Sequence, residues 1–302
     1  MNYDVKTLTK PYKAFQNKVF VEKAVQQLIE PKLFFKDLFD VVDLEGAKTF
    51  KTFQELDSAE KDIQNSILGT PVDITETSDI SQVVVSDFDE EIGGVKRFGS
   101  RLVYSPELAK DEVSYANNLK TKFNKVVYSI ARRTNAKVFE TMDAEASAKP
   151  IDLNDGEWIN SSKISKDLLH MKRNFEADES YDYELTDILL NAFQYYNLND
   201  WYDTTRNGFD PNNIEGITAS NMKGRMPDDI LFGLDRNEKP ITIYKNRIAN
   251  MNQFDSFINT SIYTEPKYPF LTTIDFVAEI GISCTKPNAI LKQTGLGINP
   301  EA

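Results

Sequence analysis

The sequence predicts an α+β protein, and three observations carry that prediction. One is a long helical stretch from Ser105 to Met142, SPELAKDEVSYANNLKTKFNKVVYSIARRTNAKVFETM. Another is a β run, PFLTTIDFVAEIGISCTKPNAILKQTGL (269–296), with apolar groups alternating through Ile274, Phe276, Ala278, Ile280 and Ile282. Between them lie short strand-like pieces, IEGITASN, MPDDILFGLD and KPITIYKN, separated by turn residues.

The helical stretch opens on a start signal. Ser105 can cap free amides, Pro106 sits at the first helical position, and Glu107 makes the first turn acidic. No Gly or Pro follows until Pro150. Apolar groups recur at Leu108, Tyr115/Ala116, Leu119, Phe123, Val126/Val127, Ile130, Val138 and Met142, which draws one stripe along a helix. A single helix of about 38 residues would be roughly 55 Å long. The stripe is too irregular for a heptad seam, and Lys, Asn and Arg fill the other faces, which excludes a membrane span. A structural spine is expected, its stripe facing the 269–291 strands of its own chain.

In chain order, residues 1–13 are polar and carry Pro11. Ala14 to Glu30 predicts an amphipathic helix with Phe15, Val19, Ala24, Leu28 and Ile29 as apolar members, ended by Pro31. LFFKDLFDVVDL (33–44) fits either a helix or an edge strand. From Gly46 to about Gly99 the chain is dense in Thr, Ser, Asp and Gly, with alternation only in Thr49–Phe53, Val83–Val85, Val95 and Phe98. Two outer strands around a long polar excursion predict a projecting hairpin. A loop of that length packs on something other than its own domain, which makes it an intermolecular arm. Beyond the spine, ASAKPIDLNDGEW (146–158) is a turn-rich link. SKISKDLLHMKRNFEA (162–177) predicts a helix with Ile164, Leu168, Met171 and Phe175 inward. LTDILLNAFQYYNLNDW (185–201) reads as a buried strand, Leu185–Leu190, turning into a helix, and Ala289–Leu291 as a closing strand.

Composition narrows the function classes. At 302 residues the chain can bury a real core, and an apolar fraction of 40% fits folding over disorder. A formal charge of −12 argues against a broad basic face gripping nucleic acid. The single cysteine, Cys284, rules out an internal disulfide and a thiolate cluster. No secretory signal and no run of 18 apolar residues occurs, so a soluble protein made in the cytoplasm is expected, and Asn160 and Asn259 in their N-x-S/T triplets read as chance.

The candidates for chemistry are sparse. His170 is the only histidine and lies one residue off the stripe of its helix, with no local nucleophile or orienting carboxylate. Ser58–Lys61 and Ser283–Lys286 match the S-x-x-K spacing of an activated serine but lack S-D-N and K-T-G partners. Asp87, Asp89 and Glu91 alternate as in a calcium loop, yet position 92 is Ile where the turn Gly belongs and 98 is Phe where the closing Glu belongs. Gly295 and Gly297 lack the third glycine of a dinucleotide fingerprint, and no P-loop occurs, so no cofactor and no metal is expected. Gly93–Gly94 reads as a bend or bulge where the hairpin rejoins its body. Phe193, Tyr195, Tyr196, Trp201 and Tyr202 could stack bases but lie among Asn and Asp, which favours core or subunit contact. Arg132–Arg133 and Lys223–Arg225 are the only local basic spots. No catalytic residue is assigned.

Order and pattern together resemble the Hong Kong 97 type major capsid proteins of tailed bacteriophages and related archaeal viruses. VKRFGSRLVYSPEL (95–108) is similar to the entry into that family's spine helix. YELTDILLNAFQYYNL (183–198) and DDILFGLDRNEKPITIYKN (228–246) are similar to strands and a helix of its axial domain. The resemblance implies an N-terminal arm (1–45), an extended β-hairpin loop (46–100), a peripheral domain with the spine helix (101–155), an axial domain (156–265), and returning peripheral strands (266–302). It further implies a non-enzymatic protein that self-assembles as hexamers and pentamers into an icosahedral shell around double-stranded DNA. The implied partners are other copies of itself, a separate scaffold protein, a portal and weakly held DNA, with no membrane. The place would be the virion, after assembly in the host cytoplasm. Arm and loop would each lie over a neighbouring copy. Folded-looking sequence from residue 14 implies that scaffolding, if used, is a separate protein. Lys61 lies in the kind of loop that crosslinks in this family, but no matching partner sequence accompanies it. Two alternatives stand beside this reading: an encapsulin-like cellular shell enclosing a cargo enzyme, and a divergent acidic enzyme using carboxylates such as Asp228 and Asp229.

Overall fold

A computed structural model describes residues 11–55, 88–146, 164–176, 183–206, 210–211, 214, 216–222, 226, 230–246, 256–267 and 270–294. In chain order they form α1 (Lys18–Ile29), β1 (Asp40–Asp43), β2 (Thr49–Glu55), β3 (Phe88–Gly94), β4 (Lys96–Tyr104), α2 (Pro106–Asp111) and α3 (Val113–Glu145). There follow α4 (Ile164–Glu176), β5 (Asp187–Leu190), α5 (Ala192–Arg206), β6 (Thr218–Asn221), β7 (Ile230–Leu234), β8 (Ile241–Lys245), β9 (Asn259–Thr264), β10 (Thr272–Cys284) and β11 (Ile290–Thr294). Two compact units result. Unit one draws on Met1–Phe50, Gly93–Phe139 and Thr242–Ile282, and unit two on Lys51–Ile92, Glu140–Ile241 and Ser283–Ala302.

Unit one is organised on β10. Its edge against β4 runs antiparallel from Thr272↔Tyr104 to Ile280↔Lys96. β9 and β8 share the opposite edge, and β1 adds in parallel to β8. The inward side chains Ile274, Phe276, Ala278 and Ile280 are buried, as the alternation predicts. The phase then changes at Gly281: Ile282 is only partly covered, while Ser283 and Cys284 are buried.

The spine forms with one difference. Ser105 caps as expected, its hydroxyl accepting from the Leu108 amide, but the helix stops at Asp111. Glu112 is extended (φ −114, ψ 112), its amide closing the last turn of α2 and its carbonyl opening α3, which then runs unbroken for 33 residues. The break is held by side-chain chemistry: the Tyr115 hydroxyl accepts from the Ser105 amide at 3.1 Å.

Ala116, Leu119, Phe123, Val127, Ile130 and Val138 of α3 are buried. The gap in the stripe between Ile130 and Val138 is filled by Thr134, whose hydroxyl donates to the Ile130 carbonyl, and Asn135, whose amide donates to the Lys32 carbonyl at 2.7 Å. Phe123 meets Phe276 of β10 edge-on, with centroids 5.5 Å apart.

The stripe has a second partner that the sequence reading assigned elsewhere. Phe15 stacks on Phe123 at 4.6 Å and Phe34 on Phe139 at 4.5 Å. Val21, Ala24, Val25, Ile29 and Phe35 are wholly buried. Phe15 to Phe39 therefore packs within its own chain, against the spine. The helix starts at Lys18, later than expected, because the Asn17 side chain accepts from the Phe20 amide and fixes the cap. The ambiguous 33–44 stretch contains both elements, a 3-10 turn at Phe34–Asp37 and then β1.

Unit two has a four-stranded sheet in the order β11-β7-β5-β6, with β5 and β6 parallel and the other pairs antiparallel. All four residues of β5 are buried. Ile164, Leu168, Met171 and Phe175 of α4 join Leu198, Trp201 and Tyr202 of α5 over Ile188, Leu190, Leu231 and Leu291. The strand-to-helix corner closes by a reciprocal cap. Asn191 accepts from the Gln194 amide at 2.8 Å, and Gln194 accepts from the Asn191 amide.

Candidate assembly surface

β2 and β3 pair with each other in a two-stranded sheet of their own. Their root lies in unit one and is tied from several sides. The turn before β2 uses left-handed backbone at Glu45 (φ 50) and Gly46 (φ 103), closed by the Ala47 amide on the Leu44 carbonyl. Asn246, 5% exposed, grips that turn: its Oδ1 accepts from the Gly46 amide at 2.7 Å. Its Nδ2 donates to the Ala47 carbonyl and to Glu279 of β10. Glu279 also faces Arg97 at 3.4 Å, and the Val95 amide donates to the Lys48 carbonyl.

Phe50 is the root's apolar member. Its ring stacks on Tyr244 with centroids 3.9 Å apart. A Cβ placed on Gly93 or on Gly281 would fall within that ring. Both glycines are thus glycine because Phe50 needs their space, and Gly281 is also where β10 changes phase. The sequence reading took Gly93–Gly94 for a bend or bulge where the hairpin rejoins its body, and β3 ends at Gly94 before β4 opens at Lys96 in another sheet. Gly93 is besides one wall of a slot, whose signal in sequence was only an unexplained Gly in each of two strands.

Several large apolar groups of the single chain face solvent. Val113, beside the break at Glu112, is 77% exposed, and Ile92 of β3 is 67% exposed. Tyr263 in unit one and Tyr196 in unit two are 60% and 62% exposed. Exposed charges on β4 are paired along the sheet: Arg101 grips Asp275 through two hydrogen bonds of 2.6 and 3.0 Å, which raises the Arg101 pKa.

Among the described residues, those weighed for catalysis do not come together as a site. His170 is exposed, and its Nδ1 meets the Asn174 amide nitrogen on the same helix. Ser283 is buried, and Lys286 is paired with Glu238. Cys284 is buried. Trp201 and Tyr202 are packed edge to face in the core of unit two, which leaves Tyr196 as the exposed member of the aromatic group. Arg132 and Arg133 are exposed on α3. Ser58, Lys61, Asp87, Asn160, Lys223, Arg225, Asp228, Asp229, Gly295 and Gly297 lie outside the described residues. Among the described residues no cluster of His, Cys, Asp or Glu is placed to hold a metal, and no helix is long and apolar enough to cross a membrane.

One polar cluster was not foreseen. Asp187, 1% exposed, takes hydrogen bonds from the Thr186 hydroxyl and from Arg236. Thr186 Oγ1 accepts from the Arg236 amide, and Asp235 accepts from the amides of Glu184 and Asn237. Burial pushes the Asp187 carboxyl above its ordinary range, against the pull of Thr186 and Arg236. Enclosed and fully engaged, it offers nothing to a substrate. It ties the start of β5 to the end of β7.

No protein-family model matches the chain, and no curated protein matches it in sequence. Solved structures do. A virus-like particle from Pyrococcus furiosus aligns with a TM-score of 0.56 at 11% identity, over 90% of this chain and 97% of the other. The capsid of the cyanophage P-SCSP1u aligns at 0.59 and 9% identity, over 87% and 88%. The chain has the Hong Kong 97 type capsid fold. The SrpI encapsulin complex from Synechococcus elongatus shares it at a TM-score of 0.58 and 9% identity, over 89% and 88%.

Proposed function

We propose that the chain is a structural shell protein, the major capsid protein of a tailed bacteriophage or related virus. Copies assemble as hexamers and pentamers into an icosahedral shell enclosing double-stranded DNA. The observation that supports this reading best is the extent of the likeness, about nine-tenths of the chain against shell proteins of two kinds. Arm (1–45), extended loop (46–100), peripheral domain (101–155 and 266–302) and axial domain (156–265) are part of the proposal, as are a separate scaffold, a portal and a place in the virion. Each subunit contact is modest, and a closed shell multiplies it. With a formal charge of −12 the shell would hold its genome weakly and without sequence preference. The role is structural rather than catalytic.

The test is purification followed by light scattering and negative-stain electron microscopy. Regular shells or rings of five and six are expected. A stable monomer at high concentration, with and without candidate scaffold, would overturn the proposal. A second reading, a cellular shell enclosing an enzyme, is favoured by the likeness to the Synechococcus elongatus encapsulin complex. Particles from the native source decide between the two, since one reading expects packaged DNA beside portal and terminase genes and the other a protein cargo.

A further inference from the structure

We propose that Phe50, seated between Gly93 and Gly281, is a positioning residue that fixes the direction in which the β2–β3 ribbon leaves its subunit, and so the geometry at which copies join. The inference rests on the shell-forming role proposed above and goes beyond it by naming what sets the joint. A ribbon of two strands is marginal in water by itself, so its direction must be set where it is anchored. The anchor is built for one ring shape. Phe50 is 6% exposed, its flat face lies on Tyr244, and its edge fills the space of two missing Cβ atoms, one on the ribbon and one on β10. The ring therefore touches both the part that would move and the part that would stay.

Beside it, Asn246 holds the turn that precedes β2 to Glu279 of the same strand β10. Seat and clamp fix the ribbon at two points, which determines an angle as well as a position. The lever is long. A seven-residue strand spans about 23 Å, so a tilt of about 10° at the root carries its far end about 4 Å. That displacement exceeds the tolerance of any hydrogen bond at the far contact.

The test compares the full chain with Phe50→Ala and Phe50→Leu. Met171→Ala, a change inside the buried core of unit two, serves as a control for stability alone. Far-UV circular dichroism and thermal melting report on the folded subunit, while light scattering and electron microscopy report assembled fraction and shell diameter. Cooperative melting of a Phe50 variant is expected, together with a fall in assembled fraction of about tenfold or more, or shells of altered diameter, because a misaimed contact recurs in every copy.

At equal loss of melting temperature, Met171→Ala should assemble as the unaltered chain does. Phe50→Leu, which keeps apolar volume without the flat ring, answers the case in which Phe50→Ala does not fold. Shells of ordinary yield and diameter from a folded Phe50 variant would overturn the inference. Equal loss of assembly in Met171→Ala, or loss of cooperative folding in both Phe50 variants, would do the same. Failure of the unaltered chain to form any shell would instead strike the shell-forming role itself.

Discussion

The two larger sheets solve the same problem in different ways. The sheet of unit one gathers strands from residues as far apart as Asp40 and Cys284 around a 13-residue β10, and its core is a run of stacked and edge-on Phe rings. The sheet of unit two uses strands of four or five residues, one of them buried on both faces, under a core of Ile, Leu and Met with Trp201 and Tyr202. A long strand with one wet face advertises itself by period. A short strand buried on both faces has no period and is recognised by its flanking turns.

The comparison breaks first at the cores. Phe123, wholly buried against Phe15 and Phe276, should lose about 3–5 kcal/mol on Phe123→Ala. Met171→Ala in unit two should lose about 2–5 kcal/mol. If the cores are separate, urea unfolding of the double variant should give the sum to within about 0.5 kcal/mol. A shortfall well beyond that would mean that the two sites interact. The caps sharpen the contrast at smaller scale. Asn191, wholly buried with a 2.8 Å bond, should lose about 2 kcal/mol on replacement by Ala, and Asn17, with its 3.2 Å bond, about 1 kcal/mol. Equal losses would erase the distinction.

A pH series tests the polar tie in unit two. Folding raises the Asp187 pKa, so the folded chain keeps that proton to higher pH than the unfolded chain does. The group's contribution to stability therefore falls as pH rises from the ordinary carboxylate range through the raised value. Asp187→Asn has no such loss. Its melting temperature relative to the unaltered chain should accordingly rise between pH 4 and pH 7, and a constant or falling difference would mean that the carboxylate is not penalised by burial. The smallest effect is expected at His170. His170→Ala should stay within about 0.5 kcal/mol, because the ring is exposed and meets only its own helix.

Much of this was legible in the residues. The inward positions of α4, the alternation of β10 as far as Ile280 and the Ser105 cap are repeating or local signals, and each was read correctly; Ile282 was not, because the phase changes at Gly281. The break at Glu112 was not legible, since neither Gly nor Pro marks it and the stabilising Tyr115–Ser105 bond spans ten residues. Thr134 and Asn135 hid part of the spine's inner face because polar residues interrupt a stripe even when buried. The packing of Phe15 and Phe34 on the spine was not legible because an apolar segment does not announce its partner. The seat of Phe50 depends on two distant glycines, and the tie at Asp187 on Thr186 and Arg236 about 50 residues apart, so neither leaves a local pattern.

The position of β10 in the chain has a consequence for the order of folding. Every other strand of unit one's sheet pairs with β10 or with β8 beside it. During synthesis β1 and β4 emerge well before residue 272, with no partner of their sheet yet to hand. Closure of unit one must therefore wait until β10 has left the ribosome, and contacts of such sequence separation form slowly. The chain carries its own delay. The ribbon's seat, which needs Gly281, cannot be completed any earlier.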